Sequence, residues 1–153
     1  MKKIGEEYTL RGKYEPDGGF NLDKPDRLLL FDGRFDTGYK IVDFVVWGVG
    51  IDVGQDNDVI GVITTEDLGE IKMDAGENRQ IAWCSNRGGT YAEMDSIARG
   101  IVVPDHMIIE DLYFYGFCGD QSTEGVNYLI TLQKYDISDS LGALSMGRNR
   151  SQA

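Results

Sequence analysis

Apolar and polar side chains alternate with period two along most of this chain, and glycine-rich turns rather than helical stretches separate the alternating runs. Successive strand residues point to opposite faces, so each run buries one face and wets the other, the pattern of antiparallel sheets stacked in a sandwich. Over residues 8–15, Tyr8, Leu10 and Tyr14 share one face while Thr9, Arg11, Lys13 and Glu15 share the other, as expected of a half-exposed strand. The PDGG turn at 16–19 joins a proline with fixed φ to glycines that accept positive φ, and leads into a second extended segment at 26–35.

Residues 39–49, YKIVDFVVWGV, are apolar on both sides: Val42, Phe44 and Val46 oppose Ile41, Val45 and Trp47. A strand dry on both faces is expected at the centre of a sheet. The runs 58–66 and 79–85 extend the pattern, with Ile81 and Trp83 set against Gln80 and Ala82. In 126–137, Val126, Tyr128, Ile130 and Leu132 share a face, and the slip at Lys134, Tyr135 and Ile137 predicts a bulge. Helical spacing occurs at 90–100, with Thr90 as N-cap and Gly100 as stop. The chain is therefore expected to be all-β: a single-domain antiparallel β-sandwich of jelly-roll type over residues 1–139, with at most one short helix and an extended C-terminal arm over 140–153. A length of 153 residues suits one hydrophobic core.

Charge narrows the partners. The formal −11 would repel a phosphate backbone, because nucleic-acid affinity depends on Lys and Arg releasing counterions, so no direct nucleic-acid binding is expected. No apolar run approaches the ~20 residues of a membrane helix, and MKKIGEEYT lacks the apolar stretch of a secretory signal, so no membrane association and folding in a cytosol are expected. Cys84 and Cys118 are then thiols and packing residues.

Little catalytic chemistry can be assembled from what remains. His106 is the only histidine, which excludes multi-histidine metal sites within one subunit, and it reads as a solvated residue at a strand end. No G-x-S-x-G elbow is present. The glycines of WGVGIDVG are misplaced for a dinucleotide loop. A calcium loop at Asp52, Asp56 and Asp58 lacks the glycine and distal glutamate of an EF-hand, so the favoured reading is a solvated acidic hairpin with no cofactor. Trp47, Trp83 and eight tyrosines offer aromatic faces on which pyranose rings could stack.

The most apolar stretch, MIIEDLYFYGFC at 107–118, carries Glu110 and Asp111 side by side. Residues 105–118 as one strand would span about 46 Å at ~3.3 Å per residue, far beyond an ordinary strand, so a bend or interruption is expected. Neighbouring strand residues diverge, which disfavours a paired-carboxylate active site. The two acids read either as charges that mark a bend and block edge-to-edge aggregation, or as interface groups meeting a partner subunit's Arg or Lys. The arm SLGALSMGRNRSQA has Leu141, Leu144 and Met146 as apolar anchors and Arg148 and Arg150 as its only charges; removing their two positive charges from −11 leaves −13 for residues 1–139. Such a segment is expected to order only against an acidic neighbour, for which another copy of the chain suffices.

The C-terminal third, DHMIIEDLYFYGFCGD followed by NYLITLQKYDISDSLGALSMGRNRSQA, resembles the small β-rich structural proteins that build or decorate bacteriophage capsids, in general style a single jelly roll. The resemblance covers about a third of the chain and carries over no functional residue. It implies a non-enzymatic virion protein, made in the host cytoplasm, that assembles with itself and with a larger capsid protein through its interfaces. The acidity suits an outward-facing decoration, cement or vertex subunit better than a coat that touches DNA. The alternative is a carbohydrate-binding β-sandwich module using an aromatic face.

Overall fold

The structure, a computed structural model, describes residues 2–15, 24–31, 33, 35–49, 57–88, 100–118 and 125–138. Eight strands occur among them: β1 (Lys2–Tyr14), β2 (Asp26–Leu28), β3 (Thr37–Gly48), β4 (Asn57–Thr64), β5 (Gln80–Gly88), β6 (Ile101–Val102), β7 (Leu112–Cys118) and β8 (Val126–Asp136). They form a three-stranded sheet, β1-β8-β3, and a five-stranded sheet, β2-β7-β4-β5-β6, with every pair antiparallel. The pairs nest: β4 with β5, β2 with β7, β1 with β8. The chain is one long hairpin, turned between β4 and β5, whose two arms wind together across both sheets, as in a jelly roll. The expected all-β sandwich is present. The expected helix at 90–100 falls outside the described residues except for Gly100.

One segment closes the side of the sandwich. Residues 100–109 run beside β3 and are tied to it at both ends, by Gly100 N–H to the Phe44 carbonyl at 3.0 Å and by reciprocal 2.7 Å bonds between Tyr39 and Ile108. Between those ties, β6 leans onto β5, pairing Val102 with Ala82, and Val103 N–H reaches the Ile81 carbonyl at 2.9 Å.

The core lies between the sheets. Ile41, Phe44 and Val46 of β3 and Val126, Ile130 and Leu132 of β8 face Val59 and Ile63 of β4 and Leu112 and Phe114 of β7. Phe114 is its hub, with ring centroids 4.5 Å from Tyr128, 5.7 Å from Tyr14 and 6.0 Å from Phe44. Room for these rings comes from Gly61 and Gly116, which pair across β4 and β7: a Cβ on Gly61 would stand 2.6 Å from Val46, and one on Gly116 2.6 Å from Tyr14.

Three extra residues or short insertions explain where the simple alternation misleads. Val42 is unpaired between Ile41 and Asp43, so Ile41 joins Phe44 and Val46 inside while Val42 turns out to 47% exposure. Ile81 is extra opposite Ile63 and Thr64, so Ile81 and Ala82 both face the core, and Gln80 and Trp83 share the other side. In β1, three residues from Gly5 (φ 67°) to Glu7 stand opposite Gln133, whose buried amide donates to the Ile4 and Gly5 carbonyls at 3.4 and 3.3 Å. The bulge expected in β8 therefore lies in its partners, and β8 itself runs unbroken. β3 is not central either; β8 holds that place, flanked on both sides.

Candidate functional site

The stretch 107–118 is divided between the two sheets. Met107, Ile108 and Ile109 are buried beside β3, the chain bends at Glu110, and Leu112 begins β7 in the opposite sheet. The acids mark that passage. Glu110 is exposed, whereas Asp111 is buried and accepts four hydrogen bonds: Arg27 Nε and Nη2 donate to Oδ2 at 2.9 and 2.7 Å, and the backbone N–H groups of Leu30 and Phe31 donate to Oδ1 at 2.9 Å each. Burial pushes the Asp111 carboxyl up, but the Phe31, Arg27 and Leu30 donors outweigh it and hold the group below its ordinary range. The hydrogen bond to Asp111 in turn raises Arg27. The cation that meets Asp111 thus belongs to the same chain, and a carboxylate so fully engaged serves as an anchor for residues 27–31.

That anchor displays two aromatic rings. Phe31 and Phe35 lie with centroids 5.1 Å apart and are 39% and 56% exposed, and Leu29, two residues before Phe31, is 76% exposed. The opposite wall is the turn after β4, fixed by Thr65 N–H to the Arg79 carbonyl at 2.9 Å and by Tyr115, whose hydroxyl accepts from Leu68 N–H at 2.8 Å and donates to Asp67 Oδ1 at 3.2 Å. Burial, with Asp67 adding to it, raises the Tyr115 phenol to about 12. Glu66 stands 3.7 Å from Arg79. The walls enclose an open cleft of about 240 Å³, lined by the aromatic pair, Tyr113, Arg27 and the acids Glu66, Asp67 and Glu110. A surface of this kind, flat rings beside several carboxylates, recognises ligands that combine apolar surface with cationic or hydroxyl donors.

The remaining candidates are scattered. Trp47, 38% exposed, lies on the outer face of the three-stranded sheet, while Trp83 packs on the outer face of the five-stranded sheet with its indole N–H on Gln80 Oε1 at 2.9 Å. The two indoles therefore cannot form one stacking platform. His106 is buried, not solvated, because the chain around it packs against β3. Burial raises both Cys84 and Cys118, which disfavours their thiolates. Among the described residues, no three His, Cys, Asp or Glu side chains are grouped to hold a metal ion. Asp52 and Asp56 lie outside those residues, and of Asp58 only the backbone, paired with Arg87 in β4, is described. Leu141, Leu144, Met146, Arg148 and Arg150 also lie outside them.

Sequence reasoning singled out Glu110 and Asp111 but missed Arg27, Phe31, Phe35, Glu66 and Asp67. The signal available was an unusually apolar, charge-poor LLLF run after a strand, which reads as more strand until Asp111 is seen to pull it aside. Compared with known proteins, the chain matches no family model, no curated protein and no solved structure.

Proposed function

We propose that this chain is a non-enzymatic virion structural protein, a capsid decoration, cement or vertex subunit, which acts through contacts with copies of itself and with a larger capsid protein. The observation that carries the reading is the amount of large apolar side chain a well-packed fold leaves outside: Phe31 and Phe35 in the cleft, Leu29 just before them in the chain, and Val42 and Trp47 on the small sheet. Exposed rings gathered as Phe31 and Phe35 are, with centroids 5.1 Å apart, mark an interaction surface, because their burial requires a second molecule. The jelly-roll winding supports it, being a fold used by capsid domains, as does a charge of −11, which disfavours contact with packaged nucleic acid. Such a subunit is made in the host cytoplasm and resides in the particle, without a membrane or cofactor.

Size-exclusion chromatography with light scattering tests the reading. A trimer, pentamer or larger closed species is expected, and a strict monomer at all concentrations, with no binding to a particle surface, counts against it. A second reading, a carbohydrate-binding module, is favoured by the Phe31–Phe35 pair beside Arg27 and Glu110. Binding on a glycan array by a monomeric protein would select it.

A further inference from the structure

We propose that the cleft between Phe31, Phe35, Glu66, Asp67 and Glu110 is the seat of the C-terminal segment 140–153 of a neighbouring copy of this chain. The inference rests on the assembly reading and deepens it by naming donor and receiver.

Chemical complementarity comes first. The cleft sets an exposed aromatic pair against Glu66, Asp67 and Glu110; Asp111 is taken up by Arg27, and Glu66 stands 3.7 Å from Arg79, which leaves the cleft net negative. A ligand that carries apolar groups and positive charge together suits it. Segment 140–153 carries Leu141, Leu144 and Met146, then Arg148 and Arg150, and no acid. The aliphatic side chains match Phe31 and Phe35, and the guanidinium groups match the carboxylates and, over a ring face, the aromatics themselves. Position is the second observation. Ile137 N–H donates to the Asp36 carbonyl at 2.7 Å, so the last described strand delivers the chain one residue from Phe35, at the rim of the cleft. Length is the third: fourteen extended residues reach at most about 46–50 Å, enough to cross to the cleft of an adjacent copy. Passed from each copy to the next, the segment builds a ring where the rotation between copies closes.

The test uses two full-length variants and their mixture. The receiver-reversed chain carries Glu66→Lys and Glu110→Lys, and the donor-reversed chain carries Arg148→Glu and Arg150→Glu; Phe35→Gln probes the apolar side of the cleft. All these cleft positions are exposed, and an unchanged thermal midpoint of the separated chains verifies folding. By light scattering, each charge-reversed chain alone should fall to the monomer mass of 17.1 kDa, and Phe35→Gln should weaken association at least tenfold. Mixing the two reversed chains in equal amounts restores complementary charge at every contact between unlike chains, so species heavier than the monomer should return, even-numbered where they close. Wild-type protein at 17.1 kDa throughout would defeat the assembly reading itself. Oligomeric wild type with equally oligomeric variants would leave that reading standing and overturn the cleft assignment. A chain carrying all four reversals that behaves as wild type, with no rescue in the mixture, would overturn exchange in favour of folding back. Glycan binding lost in the receiver-reversed chain at unchanged mass would assign the cleft to carbohydrate instead.

Discussion

The outer faces of the two sheets are built from similar residues and end in different conditions. On the five-stranded sheet, Val62 and Tyr115 are completely buried, with Ile60, Trp83 and Phe117 packed around them, because the chain between β4 and β5 folds back over that face and brings Leu68 and Ile71 down onto it. Gln80 stitches the cover, donating to the Lys72 carbonyl at 2.7 Å and accepting from Asp74 N–H and Trp83. On the three-stranded sheet, Val42 and Trp47 stay exposed, and Val45 and Leu129 are half-buried. An aromatic outer strand residue is therefore a core residue in one sheet and an exposed one in the other. Among the described residues, what separates them is that the connection between β4 and β5 returns over one face.

The largest expected effect breaks the covered side. Tyr115→Ala should cost about 3–5 kcal/mol in urea unfolding, since it removes a wholly buried ring and the hydroxyl that holds Leu68 and Asp67. A loss under about 1 kcal/mol would mean the cover is not part of the folded core. Asp111→Asn, at the passage between the sheets, should cost about 1–3 kcal/mol at pH 7 by weakening the bonds to Arg27, Leu30 and Phe31. Since the folded carboxyl lies below 3.8, its contribution is complete above that value and is lost as pH falls below it towards the lowered folded value. The gap between wild type and variant should close below about pH 4, and a gap constant down to pH 2 would deny the shift. Trp47→Ala, on the open face, should change monomer stability by no more than about 0.5–1 kcal/mol. A larger loss would show that this indole is already packed within one chain.

The smallest effect is a pH-dependent loosening of the cover alone. Arg79 donates to Glu77 at 2.9 and 3.0 Å and lowers its carboxyl from 4.5 to about 2. Its contribution is present above pH 4.5 and fades as pH falls towards 2. In a Trp47→Phe background, Trp83 emission should shift to the red over that window, whereas Trp47 emission in a Trp83→Phe background should not move.

The sheet content and much of the core were legible in the sequence because inward residues of β7, β8 and the part of β1 beyond Glu7 alternate. The faces of β3 and β5 were not, because single extra residues at Val42 and Ile81 shift everything beyond them to the opposite side, and no residue type announces a bulge of that kind. The interruption in 107–118 could be argued from length alone, and its location matched the two acids. The cleft could not be anticipated. Arg27 and Asp111 are separated by 84 positions, and the pairing that aims Phe31 and Phe35 outward exists only once β2 lies beside β7.

The pairing of β1 with β8 has a consequence for how the protein is made. Tyr14 pairs with Val126 and Lys2 with Asp136, so β1 leaves the ribosome long before β8, the strand it pairs with. At ~5–20 residues per second, that delay is roughly 6–22 s. During it, β1 has no neighbour and β3 presents Phe44 and Val46 without the strand that will flank them. The composition of β1 suits a strand that waits: Lys2, Lys3, Glu6, Glu7, Arg11 and Lys13 give it charges of both signs, and Gly5 breaks its straight edge. The least apolar strand of the sandwich is the one that spends longest in water before it finds its place.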